Sequence, residues 1–281
     1  MGITYNLGWY ELRNGEIFLK EDREISVEEF TKIGQSSELL SYFNMNINYY
    51  DMMEKNFEEV IKIINQFEQN RESFVYEKES VPYIKELNRL LINALGSFFC
   101  FINHYEYILK TRFEKDTLSE PFKKICSNYF DNHFEYRFLY KLRNYAIHCN
   151  IPVSLIQSTQ NNPKRSFYIN VNALLSELKK KKKVKEDLES LKSNLEVKSF
   201  IINVQNMLYT LNKEMMSLDT QGIITSLNYL NNFKRINDNN EVQMPVIIIN
   251  DSSNPEKIEL KSFGDNFFEA IQTVIKFNIS Y

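Results

Sequence analysis

An arginine, an asparagine and a histidine lie close together in the stretch from Tyr140 to Pro152; they are Arg143, Asn144 and His148. Arginine carries a permanent charge on a planar group that fits phosphate oxygens. Histidine can accept and donate protons near neutral pH. The arginine and the histidine are typical of metal-free chemistry on a phosphodiester, and the rest of the sequence contains no competing catalytic constellation.

Helical periodicity predicts how these side chains are arranged. Asn144 and His148 are i,i+4 neighbours on one face, and that face continues back through Lys141 and Arg137 as a basic ridge that we expect to bind substrate. Arg143 lies about 140° round the helix from His148, so its side chain must curl across, or the two groups must meet across a partner helix. The opposite, core-facing stripe is predicted to contain Leu139, Leu142, Tyr145, Ala146 and Cys149.

The segment resembles the signature of the HEPN superfamily, named for higher eukaryote and prokaryote nucleotide-binding domains. That signature is an Arg, usually followed by a polar residue and often by Asn, and then a His near the end of a long helix. Arg143, Asn144 and His148 match it, with four residues between the Arg and the His. The run from Leu142 to His148, followed shortly by Pro152, also resembles bacterial HEPN proteins linked to phage defence. By helix pattern the resemblance covers residues 37–235, and its specific part is about a dozen residues.

The resemblance implies a metal-independent endoribonuclease in a toxin or anti-phage defence role, with no cofactor and no metal site. His148 is then expected to act as general base or acid, Arg143 to stabilise the charged phosphorane, and Asn144 to position the phosphate or His148. HEPN enzymes often carry an acidic residue on a neighbouring helix, and Glu106 is the candidate here. The products implied are a 2′,3′-cyclic phosphate and a 5′-hydroxyl.

The resemblance also implies partners. RNA is the expected substrate, and a homodimer with both motifs at its interface is the expected assembly, with a regulatory protein as a possible further partner. Some family toxins carry a Tyr two residues after the His, where a partner enzyme modifies it, but position 150 is Asn. Two alternatives stay open. One is a non-catalytic HEPN-like helical module that binds RNA, a nucleotide or a protein, and the other is a helical scaffold whose motif is accidental.

Composition narrows the class of protein. The chain has 281 residues, of which 43% are hydrophobic and 25% charged, and this balance is typical of a globular protein. Seven glycines and six prolines favour long helices and argue against a glycine-rich phosphate loop. The net charge of −3 means that any nucleic-acid contact must come from a local patch. Three widely spaced cysteines and the lack of a signal-like or membrane-spanning apolar run predict a cytoplasmic protein that does not contact a membrane.

The predicted fold is mainly α, a HEPN-like helical bundle of long helices with small terminal strand and hairpin additions. We expect a hairpin over residues 5–20, turning at Asn14-Gly15, and a short helix to Ile33 within residues 1–36. A helical domain over residues 37–238 and C-terminal strands with a helix over 239–281 follow. The terminal strands are expected to pair into one sheet.

Within the helical domain, Pro121 is expected in the first turn of the motif helix. The other predicted elements, in chain order, are helices over about 37–70 and 80–109, a loop over 151–165, a strand over 166–171, a helix near 172, a long helical region over 184–216, a helix over 220–235, strands over 246–249 and 257–262, and a final helix over 265–278.

Overall fold

The computed structural model describes residues 3–13, 16–70, 80–112, 118–157, 166–177, 182–191, 194–236, 242–254 and 258–279. The helices are α1 Val27–Asn70, α2 Val81–Arg112, α3 Ser119–Asn132, α4 Phe134–His148, α5 Val171–Glu177, α6 Lys182–Ser190, α7 Val197–Ser217, α8 Thr220–Asn231 and α9 Gly264–Lys276. The strands are β1 Ile3–Arg13, β2 Glu16–Ile25, β3 Val153–Gln157, β4 Ser166–Ile169, β5 Leu195–Glu196, β6 Arg235–Ile236, β7 Val242–Gln243, β8 Val246–Asp251 and β9 Ile258–Ser262. The prediction of a mainly α protein with small antiparallel sheets is confirmed.

The described residues group into two compact units, one made of residues 1–47 and 219–281 and the other of residues 48–218. The division predicted from the sequence, 1–36, 37–238 and 239–281, stays a prediction of domain boundaries. In the first unit the sheet order is β2-β1-β8-β9, with all neighbours antiparallel. The expected pairing of the terminal strands is therefore confirmed, because Tyr5 of β1 pairs with Ile249 of β8. The predicted turn at Asn14-Gly15 lies outside the described residues.

The second unit contains the motif helix α4, which contacts α2, α3, α6 and α7. Its apolar face is fully buried: Phe138, Leu139 and Leu142 each have 0% exposure. Burying side chains of this size stabilises a fold by roughly 1.5–3 kcal/mol each. The predicted core stripe is confirmed for Leu139, Leu142 and Tyr145, but Ala146 is half-buried and Cys149 is exposed. The burial of α4 on several sides fixes the helix that carries the motif.

Several predicted boundaries are wrong. The short helix to Ile33 and the helix expected after it are the single helix α1, since Gly34 costs a helix only about 1 kcal/mol and no proline interrupts the chain. Ser26 caps the start of α1, because its Oγ accepts a hydrogen bond of 3.1 Å from the Glu29 N–H. The loop expected over 151–165 contains strand β3, which pairs with β4. The long helical region over 184–216 is two helices, α6 and α7, separated by β5.

Candidate active site

The motif helix starts later than the sequence predicts. Pro121 lies in the first turn of α3, and α3 ends at Asn132. His133 has extended backbone angles (φ −115°, ψ 117°), so α4 starts afresh at Phe134. The ring of His133 stacks on Tyr129 with centroids 4.6 Å apart, which holds this break in place. Neither glycine nor proline marks the break in the sequence, and for that reason periodicity missed it.

Helix α4 ends at His148, as the sequence predicts. The backbone N–H groups of Cys149 and Asn150 both donate to the Tyr145 carbonyl, at 2.9 and 3.1 Å. Pro152 follows, and proline cannot continue a helix because it lacks an N–H and clashes with the preceding turn. His148 therefore lies on the last turn, where its side chain is exposed.

The chain that follows His148 is fixed to α2 by the buried side chain of Asn88. The Asn88 Nδ2 donates to the Val153 carbonyl at 2.8 Å and to the Ile84 carbonyl at 2.9 Å. The Asn88 Oδ1 accepts from the Val153 N–H at 2.9 Å. One side chain thus satisfies both backbone groups of Val153, which has 0% exposure. This contact fixes the position at which the end of α4 emerges.

We predict that Asn88→Ala lowers the free energy of unfolding by about 2 to 4 kcal/mol, because the substitution leaves two buried backbone groups of Val153 unpaired. Urea unfolding followed by circular dichroism measures the loss. The matched control is Asn56→Ala, which removes only a bond of 3.0 Å to the Met52 carbonyl one turn earlier on an exposed helix face. Equal losses in the two variants would show that Asn88 does not anchor β3.

The guanidinium of Arg143 lies against α2. Its Cζ is 4.7 Å from the centroid of the Phe99 ring, a cation–π contact. Its Nη1 donates to the Asn144 Oδ1 at 3.3 Å. Its Nε is buried and has no hydrogen-bond partner within the part of the chain that the structure describes. No carboxylate of that part neutralises this cation, so Arg143 retains donors and charge for an anion.

A groove of about 330 Å³ opens beside Arg143, between α2 and α4. Its walls are mainly apolar, with Ile92 and Phe99 on one side and Ile147 on the other. The size lies at the lower end of the range of small-molecule sites. The sequence indicated none of this, although the lone glycine Gly96 in a helical pattern was a usable signal for close approach or open space.

Asn144 and His148 are both exposed on the outer face of α4, as the i,i+4 spacing predicts. No hydrogen bond links His148 to Arg143 among the described residues. The structure thus brings Arg143 and Asn144 into contact and leaves His148 facing solvent on the following turn. Within one chain the imidazole is free to meet a substrate or a second copy of the motif.

Arg137 and Lys141 do not form the exposed basic ridge expected from helical geometry, because these side chains are only 5% and 7% exposed. Their expected role in substrate binding stays a prediction. The Arg137 guanidinium pairs with the Asp187 carboxylate of α6 at 2.9 Å and donates to the Phe130 carbonyl at 2.8 Å. Helix α6 packs over Arg137 and covers a face of α4 that helical geometry alone predicts to be exposed. The structure gives Arg137 a bracing role between helices α4, α3 and α6.

Glu106 forms an ion pair of 2.6 Å with Lys110, its i,i+4 neighbour on α2. It lies seven residues beyond Phe99, or about 10 Å farther along the helix axis. Its negative charge acts instead on Cys126 and Tyr140. The structure does not bring Glu106 into contact with Arg143 or His148, and its supporting role stays a prediction.

Beneath the exposed motif, the hydroxyls of Tyr136 and Tyr140 lie 3.2 Å apart. Burial raises the pKa of both phenols, and the neighbouring ionisable groups add to the increase for Tyr136. Burial also raises the pKa of the Cys126 thiol to about 11. All three groups therefore stay neutral near pH 7, and the negative charge of Glu106 adds to the increase in pKa for Cys126 and Tyr140.

No family model, curated protein or solved structure matches this chain. Among the described residues, no group of three or more His, Cys, Asp and Glu side chains is placed to hold a metal ion. In the same residues, no helix has both the length and the apolar character of a membrane span.

Proposed function

We propose that this protein is a HEPN-type, metal-independent endoribonuclease with a toxin or anti-phage defence role. The observation that carries the proposal is Arg143, whose cation has no carboxylate partner among the described residues and lies at the edge of a groove, five residues before the exposed His148. The signature residues thus combine a phosphate-binding cation with an accessible acid–base group on one helix end. We further propose that the helical unit is HEPN-like and that the protein acts in the cytoplasm.

In the proposed reaction the 2′-hydroxyl of the RNA attacks the adjacent phosphorus atom. The bond from phosphorus to the 5′-oxygen breaks, so the products are a 2′,3′-cyclic phosphate and a 5′-hydroxyl. His148 takes the proton from the attacking hydroxyl or gives one to the leaving oxygen. Arg143 donates to the phosphorane oxygens as negative charge grows on them, and Asn144 holds the guanidinium in place through its Oδ1.

A homodimer supports this chemistry. The reaction needs both a general base and a general acid, and each chain has one exposed motif histidine to act as one of them. Ile151, just past His148, is 49% exposed and lies where a second copy would contact the end of α4. In such a dimer one His148 accepts the proton and the other supplies it. A regulatory protein that covers the same helix end would restrain the enzyme.

The test of the proposed function compares substrates in EDTA. The purified protein should cleave single-stranded RNA and leave the same sequence intact when it is DNA or fully 2′-O-methylated, because neither carries the attacking hydroxyl. Gel analysis of labelled strands measures the difference. Activity that EDTA abolishes, or equal cleavage of DNA, would contradict the mechanism.

The alternative is a non-catalytic HEPN-like module that binds RNA, a nucleotide or a protein. The observation that favours it is the lack of a hydrogen bond between Arg143 and His148 in the described chain. Binding of RNA that survives substitution of both residues, with no cleavage of any RNA, would support this module over the enzyme.

A further inference from the structure

The polarity of the groove beside Arg143 changes along its length. At one end the walls are the side chains of Ile92, Ala146 and Ile147, and at the other lies the amide of Asn103. Ile92 and Ile147 are 38% and 51% exposed, so the apolar end of the groove is open to solvent. The side chains of Ile92, Ala146 and Ile147 thus form an apolar strip on the surface of the groove.

Gly96 lies in the middle of this strip on α2. A Cβ built at Gly96 would meet no heavy atom within 4 Å, so the lack of a side chain leaves the space empty. Glycine in a helix interior costs about as much as any non-proline residue can. An open position of this kind, at the floor of a groove, suits a flat group that lies on the helix backbone.

The charges favour one kind of occupant. Arg143 presents a cation with no carboxylate partner among the described residues, and it lies partway along the groove over Phe99. The Asn103 side chain is exposed and makes no hydrogen bond there, so its amide can both donate and accept. A ligand that matches the groove needs a flat apolar face, a polar edge and an anion at its side.

We propose that the groove binds one nucleobase of single-stranded RNA while Arg143 binds the phosphate of the same nucleotide. The inference rests on the proposed function and adds to it the substrate class, an unpaired and unstacked nucleotide. The base lies on the strip at Gly96 between Ile92 and Ile147, and its polar edge faces Asn103. Unstacked bases are bound in this way, by flat contacts to the faces and hydrogen bonds to the edges.

Cys100 gives a direct reporter, because it lines the groove and its side chain is exposed. Alkylation of Cys100 by N-ethylmaleimide, followed by peptide mass spectrometry, measures access to the groove without any cleavage. Adenosine 3′-monophosphate at ten times its dissociation constant should slow this alkylation about 10-fold. Ribose 5-phosphate at the same concentration, which has the phosphate but no base, should leave the rate nearly unchanged.

Two substitutions complete the test. Gly96→Phe fills the floor and should remove the protection of Cys100, and it should raise KM for RNA about 10-fold with kcat nearly unchanged. The control Gly34→Phe adds the same ring on α1, where an added Cβ also meets no heavy atom within 4 Å, and should keep both properties. Circular dichroism spectra that match the wild type establish that both variants are folded.

Three results would overturn the inference. Equal protection by both phosphates would show that only the phosphate binds, and no protection by either would show that the groove is not a nucleotide site. Alkylation that slows as the protein concentration rises, without nucleotide, would show that a second copy covers the groove. Because this assay needs no catalysis, protection of Cys100 in a protein that cleaves no RNA would uphold the base site and reject the proposed ribonuclease.

Discussion

Replacing His148 with alanine should lower the rate of RNA cleavage in EDTA by about 10²- to 10⁴-fold, the usual contribution of a general acid or base. The side chain is exposed at the last turn of α4, so its loss leaves no cavity and the protein should stay folded. Single-turnover cleavage of labelled RNA measures the effect. The control is Cys149→Ala, the next exposed residue along the chain, which should cleave at the wild-type rate.

Arg143→Ala should cost about 10²- to 10³-fold in kcat, as expected for the loss of a donor to a charged transition state. Arg143→Lys keeps the charge and loses the planar stacking on Phe99, so we expect it to recover only a small part of the activity. Full activity in either His148→Ala or Arg143→Ala would reject the catalytic assignment.

Arg137→Ala should lower the free energy of unfolding by about 3 kcal/mol, because it leaves the Asp187 carboxylate without its guanidinium partner at a largely buried position. The loss of the bond to the Phe130 carbonyl adds to the effect. Urea unfolding should be followed by circular dichroism, since the single tryptophan, Trp9, belongs to the other compact unit.

Two controls separate structure from substrate binding at this position. Arg89→Ala removes an exposed i,i+3 ion pair with Glu86 and should cost far less stability. The double variant Arg137→Met with Asp187→Leu removes both charges and should recover most of the loss. If that double variant is stable but binds RNA poorly, Arg137 contacts substrate, as helical geometry alone predicted.

The sequence predicts local features of this fold well. The apolar spacing of α2 gives the buried Leu87, Leu91, Leu95 and Phe98, each at most 1% exposed. The end of the motif helix at His148 follows from Pro152, because proline acts on its own neighbours. The sequence therefore predicts those elements whose buried face or end is determined by neighbouring residues.

The incorrect predictions concern features that depend on contacts between residues far apart in the sequence. From the sequence alone, Arg137 is predicted to be an exposed cation. In the structure it is buried and pairs with Asp187 of α6, fifty positions later. Strand β3 forms in a segment of weak pattern because it pairs with β4 and because Asn88, sixty-five positions earlier, binds the backbone of Val153. The candidate site shows the same division. Arg143, Asn144 and His148 are proposed from the sequence through the motif that they match, but Phe99 and the groove follow only from the packing of α2 on α4.

The most direct test of the central claim is end-group analysis of RNA cut by the purified protein in EDTA, with His148→Ala run beside it. We expect fragments that end in a 2′,3′-cyclic phosphate and begin with a 5′-hydroxyl, and their absence in the variant. Fragments with a 3′-hydroxyl and a 5′-phosphate, or cyclic-phosphate ends that persist in the variant, would contradict the assignment of His148 and Arg143 as the catalytic pair.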